Sequence, residues 1–168
     1  MNDFEKISHL IRFGLSLKKM TPQAINNWAD RKIAQPPYDF IFLDLSSTSS
    51  INKIIEILST KVVWDFENNE IRNLILSYYR EYLNQNLGNW PKIQDELLAY
   101  YSLFEFAGNG NKTDDFLFFL EDDWSLRKGG FGGMVEMPSY LKQNLIEYDN
   151  YRQLRQLLAS EGIAGYEV

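Results

Sequence analysis

The chain contains no cysteine and a single histidine, His9, and these two scarcities exclude more chemistry than any motif suggests. Zinc sites of thiolates and imidazoles, cysteine nucleophiles and disulfide scaffolds all need residues that are missing. No apolar run approaches the roughly 20 residues that a membrane-spanning helix requires. The polar stretch from Met1 to Lys6 also lacks the apolar core of a secretory signal. A cytoplasmic location with no membrane partner is therefore expected. Basic residues are scarce too: 17 Lys and Arg stand against 23 Asp and Glu, for a net charge of −6. That balance argues against nucleic acid, whose binding depends on cationic side chains neutralising phosphates. No motif calls for a cofactor.

The 168 residues that remain are 45% apolar and 15% aromatic, enough to bury a core without staples. The 10 Tyr, 11 Phe and 4 Trp are many for this length. An aromatic-rich core explains most of them, and a surplus of Tyr and Trp also suits a contact surface. No repeat, Pro/Ser-rich linker or long heptad run appears, so residues 1–168 read as one globular helical domain, mainly α.

Apolar spacing places the helices. Phe4, Ile7 and Ile11 predict a first helix over residues 3–12, with Gly14 as its stop. Thr21-Pro22 reads as an N-cap and a first-turn proline, followed by Ile25, Trp28, Ala29 and Ile33. Ser50 can cap the stripe Ile51, Ile54, Ile55 and Leu58. The firmest element carries Ile71, Leu74, Ile75, Tyr78, Tyr79, Tyr82 and Leu83, with Glu67 and Glu70 near its start and Gly88 past its end. Trp90-Pro91 opens another, which the run from Gly108 to Asn111 breaks, and Thr113 can cap a short helix after that. Two final stripes are Leu141, Leu145, Tyr148 and Tyr151, Leu154, Leu158. Two short apolar segments, Phe40 to Leu45 and Phe116 to Leu120, are consistent with either short helix or buried strand. The tail from Gly162 onward reads as a loose end or an added strand.

Charge is distributed unevenly. Residues 1–84 hold 10 basic and 10 acidic side chains, whereas residues 85–168 hold 7 and 13. Between Asp95 and Asp123 the acids are Asp95, Glu96, Glu105, Asp114, Asp115, Glu121, Asp122 and Asp123, opposed by Lys112 alone.

Three stretches compete for chemistry. His9 has no nucleophile and orienting acid beside it, so a structural place is expected. The carboxylates Asp114, Asp115, Glu121, Asp122 and Asp123 suit a solvated face, a protein contact or a hard cation, although the alternating pattern of a calcium loop is absent. The run Arg127-Lys128-Gly129-Gly130-Phe131-Gly132-Gly133 lacks the ending of a phosphate-binding P-loop. Its glycines, Gly129 to Gly133, describe a mobile loop or wide turn offering one aromatic anchor, Phe131, or a phosphate cradle of backbone N–H groups.

The segment Phe13-Gly14-Leu15 through Thr21-Pro22-Gln23-Ala24-Ile25-Asn26-Asn27-Trp28-Ala29 resembles the opening of a group of small uncharacterised bacterial helical proteins. Some of those resemble the immunity partners of polymorphic toxins. The resemblance implies a role and brings no site residues with it. Two expectations follow. The first is a non-catalytic immunity- or antitoxin-type protein that occludes a basic toxin surface, using Asp114, Asp115, Glu121, Asp122, Asp123, Trp124 and Phe131. The second is a small metal- or phosphate-binding domain or enzyme using the same carboxylates or the glycine loop.

Overall fold

Several helix starts fall where a side chain satisfies one of the first free N–H groups. The computed structural model describes residues 1–65, 68–103 and 112–166, without the side chains of Leu103, Lys112, Thr113 and Asp114. The expected roles of Glu67, Glu105, residues 108–111 and the last two residues lie outside this description. Within it the fold is mainly α. Nine helices run in order: α1 (Asp3–Ser16), α2 (Pro22–Ile33), α3 (Ile41–Ser46), α4 (Ile51–Ser59), α5 (Asn69–Gln85), α6 (Trp90–Leu103), α7 (Lys112–Lys128), α8 (Met137–Leu145) and α9 (Tyr151–Ser160). A 3-10 turn, Leu87–Asn89, precedes α6. Among the described residues there is no β-strand, and both ambiguous segments are helical, in α3 and α7.

The chain divides into two compact units. The first holds Met1–Ile75 and the described residues from Asn150 onward, and the second holds Leu76–Asp149. In the first, Asn2 and Glu5 form a reciprocal capping box that opens α1. Thr21 caps α2 and Ser50 caps α4, each accepting a bond from the N–H three residues on. Its core gathers Leu10, Ile11, Phe13, Ile25, Trp28, Leu45, Ile54 and Leu58, all essentially buried. In the second unit, Tyr78, Tyr79 and Leu83 of α5 are buried, as are Ile93, Leu97 and Tyr100 of α6, Leu117 and Leu120 of α7 and Leu141 of α8.

Two sequence expectations need correction. Gly14 does not stop α1, which continues to Ser16. Gly14 is there because a Cβ at that position would lie 2.8 Å from the Met20 side chain packed on it. The described part of the tail is neither strand nor loose end. Tyr166 is fully buried, its ring stacks on Phe13 at 6.2 Å, and its hydroxyl donates to the Leu10 carbonyl at 2.7 Å.

Candidate functional site

The acidic stretch is built on α7, and its residues turn to two opposite faces. Phe116, Leu117, Leu120 and Asp123 are buried. Asp115, Glu121 and Asp122 are exposed together with Phe118 and Leu126, which are 55% and 36% exposed. The spacing 115, 118, 122 and 126 puts an acid, a phenyl ring, an acid and a leucine along one solvent-facing stripe. Surface helices ordinarily hide their apolar side chains and expose their acids. Here two apolar residues face outward and one carboxylate faces inward.

On the side of α7 turned away from this stripe, α6 and α7 border an open hollow of about 180 Å³. Asp95 and Glu121 supply its negative charge, Tyr101 and Trp124 its rings and Leu98 an apolar wall. The half-buried Trp124 already holds a cation against its face, with Lys128 Nζ 4.5 Å from the ring centroid. Of the residues expected to form a contact, Asp115 and Asp122 therefore lie on this stripe, the exposed Glu121 lies about a quarter-turn round the helix, and the half-buried Trp124 stands half a turn from Asp115, beside the hollow. The side chain of Asp114 lies outside the described residues.

Asp123 does something else. Its carboxylate is 0% exposed, accepts the Met134 N–H at 2.6 Å and takes the Arg127 Nε–H at 2.5 Å. Arg127 in turn donates to the Val135 carbonyl at 2.6 Å. This network clamps residues 134–135 back onto the end of α7. Gly133 is part of it, because a Cβ there would fall 2.0 Å from the Arg127 guanidinium carbon. The neighbouring Tyr140 phenol, packed 4.7 Å from Phe119, has its pKa pushed up, chiefly by burial and then by the Asp123 charge.

The glycine run ends α7 rather than opening a helix. The Phe131 N–H donates to the Leu126 carbonyl and the Gly130 N–H to that of Arg127, with Gly130 at φ +82°. These are the two bonds of a Schellman cap, which needs a left-handed residue where Gly130 stands. The Gly129 N–H is also spent, on Ser125. Three amides that a phosphate cradle would use thus satisfy the carbonyls of α7. Phe131 is 69% exposed and Met134 47%, so the clamped turn offers two apolar side chains to solvent. Among the described residues no three acidic or histidine side chains group closely enough to hold a metal ion.

His9 is fully buried and both ring nitrogens are engaged. Nδ1 donates to the Glu5 carbonyl at 2.7 Å, and Nε2 accepts the Asp65 N–H at 2.9 Å. That arrangement fixes the neutral tautomer, and burial holds the imidazole pKa below its ordinary 6.5. The ring meets Trp64 edge-on at 5.2 Å. His9 thus ties the segment after α4 to α1.

Sequence reasoning missed the larger hollow, which lies in the first unit and has a volume of about 350 Å³. Phe4, Trp28, Phe42 and Tyr38 line it, with Lys32 and Glu161 at one end. Glu161 Oε2 accepts the Trp28 indole N–H at 2.9 Å and pairs with Lys32 Nζ at 2.5 Å. A second hollow of about 210 Å³ shares Trp28, Lys32, Gln35 and Glu161 and adds Arg31. Trp28 and Glu161, which line both hollows, lie 133 positions apart along the chain, so no local motif marks them. No protein-family model, curated protein or solved structure matches the chain.

Proposed function

We propose that the protein is a non-catalytic binding module of the immunity or antitoxin type, which covers a basic surface of a partner protein with the exposed face of α7. The observation that carries this reading is the mixed outer face of that helix. Phe118 and Leu126 stand in solvent among the exposed Asp115, Glu121 and Asp122, while Asp123 joins Phe116, Leu117 and Leu120 on the buried side. Exposed apolar side chains set among charges of one sign suit a partner with cationic side chains around an apolar patch. In this reading a Lys or Arg side chain of that partner pairs with Asp95 and Glu121 at the hollow between α6 and α7. Phe131 and Met134, held by the Asp123–Arg127 network, extend the contact at one end.

The acids serve mainly to steer association. Opposite charge raises association rates by about 10- to 1000-fold at low salt, and screening removes the gain. Affinity then comes from the rings and the leucine, which lose water on contact.

The reading is tested by capture from the protein's own organism. The intact chain should retain a basic protein, and the triple variant Asp115→Lys, Glu121→Lys, Asp122→Lys should not. Asp123 is left out because its replacement would disturb the fold. A partner held equally well by the triple variant, or no basic partner at all, would remove the basis of the proposal.

A further inference from the structure

The two adjoining hollows of the first unit share four lining residues and form one trough. One of those residues, Lys32, stands at the step between them. The larger hollow is bounded by rings: Phe42 meets Phe4 edge-on at 6.2 Å and Trp28 edge-on at 5.3 Å, and Tyr38 stands 37% exposed at its rim. At about 350 Å³ it falls within the usual size range of small-molecule sites. The smaller hollow is cationic. Lys32 spends one of its three N–H donors on Glu161, and Arg31 uses one terminal nitrogen to donate to the carbonyls of Glu161 and Gly162. Among the described residues the remaining donors of both side chains have no hydrogen-bond partner. One carboxylate, Glu161, offsets two cations here, and Asp39 at the far side is paired with Lys61 at 2.8 Å. The smaller hollow therefore carries a local positive excess in a protein whose net charge is −6.

We propose that this trough binds a small molecule in which a planar aromatic ring is joined to one anionic group. The ring lies in the hollow bounded by Phe4, Phe42 and Tyr38, and the anion is received by Lys32 and Arg31. A nucleoside monophosphate and an aromatic carboxylate share that chemistry. Ring and anion have separate recognition elements in this arrangement. Stacking and apolar burial hold the first, and charge-assisted hydrogen bonds hold the second. Glu161, itself fixed by the Trp28 indole, positions the Lys32 ammonium toward the anion.

Calorimetric titration and thermal melts of the full chain test this with four probes: AMP, indole-3-acetate, adenosine and inorganic phosphate. AMP or indole-3-acetate should bind, and at a hundred times its Kd it should raise the melting midpoint by about 5–10 °C. Binding of AMP alone identifies the anion as a phosphate, and binding of indole-3-acetate alone identifies it as a carboxylate. Adenosine and inorganic phosphate, each lacking one half, should bind at least about tenfold more weakly. Lys32→Met and, independently, the surface variant Arg31→Gln should weaken the bound anion by a similar factor, while Lys142→Met, at an exposed position of α8, should leave it unchanged. The proposal is overturned if neither aromatic anion binds at millimolar concentration. It is equally overturned if adenosine matches AMP, or if both the Lys32 and the Arg31 variant bind as the parent does.

Discussion

Replacing Asp123 with alanine should be far more costly than replacing Asp122, its neighbour in the chain, and the difference can be estimated from the contacts of each. The Asp123 carboxylate is 0% exposed and holds the Met134 N–H and Arg127 Nε–H at 2.6 and 2.5 Å. Hydrogen bonds to a charged group contribute about 1.5–3 kcal/mol net, and breaking a fully buried ion pair costs about 3–5 kcal/mol. Arg127 keeps 34% of its side chain in solvent, so water partly replaces the lost carboxylate. A loss of about 2–3 kcal/mol is the expected result. For a chain of this size that lowers the melting midpoint by about 4–12 °C. Asp122→Ala, on the exposed face, should stay within about 0.5 kcal/mol of the parent. Circular dichroism melts of the two variants measure the difference, and amide exchange at Met134 should accelerate in the Asp123 variant alone. Equal midpoints for the two variants would refute the clamp.

Gly133→Ala places a Cβ 2.0 Å from the Arg127 guanidinium and should displace it from Asp123 and Val135. The same interaction is lost as in Asp123→Ala, so the double variant should be less destabilised than the sum of the singles, by about 0.5–3 kcal/mol in a double-mutant cycle. His9 makes stability depend on pH in the neutral range. The unfolded chain binds the imidazole proton near 6.5, and the folded protein binds it only at lower pH. Its contribution is therefore complete above pH 6.5 and falls as the solution is acidified, with a slope of at most about 1.4 kcal/mol per pH unit. Urea titrations between pH 7.5 and 5 should show that slope in the parent and a flatter one in His9→Gln. Parallel curves would exclude His9 as its source.

The sequence was most legible where helical period and burial agree. Of the stripe Ile71, Leu74, Ile75, Tyr78, Tyr79, Tyr82 and Leu83 of α5, all but the half-buried Tyr82 are buried, and the caps Thr21 and Ser50 sit where their hydroxyls predict. Misreadings came where tertiary contacts set a residue's role. Gly14 looks like a terminator, yet the side chain that requires it belongs to Met20. The glycines after Lys128 read in isolation as a mobile loop or wide turn, with a phosphate cradle as the alternative, but the Leu126 and Arg127 carbonyls take the amides of Phe131 and Gly130. In α7 the inward acid and outward Phe118 cancel the amphipathic signal, which is why residues 116–120 were ambiguous between helix and strand. The candidate acids were visible as a charge run, but composition could not separate the exposed Asp122 from the buried Asp123.

The central claim is that the exposed face of α7 recruits a basic partner by charge. It is tested most directly by stopped-flow association of the captured partner between 20 and 500 mM salt, using the parent and the Asp115, Glu121, Asp122 triple lysine variant. The parent's association rate should fall at least about tenfold across that range. The triple variant should associate slowly at low salt and show a flat or inverted dependence. A parent rate indifferent to salt, or identical curves for both proteins, would contradict the account.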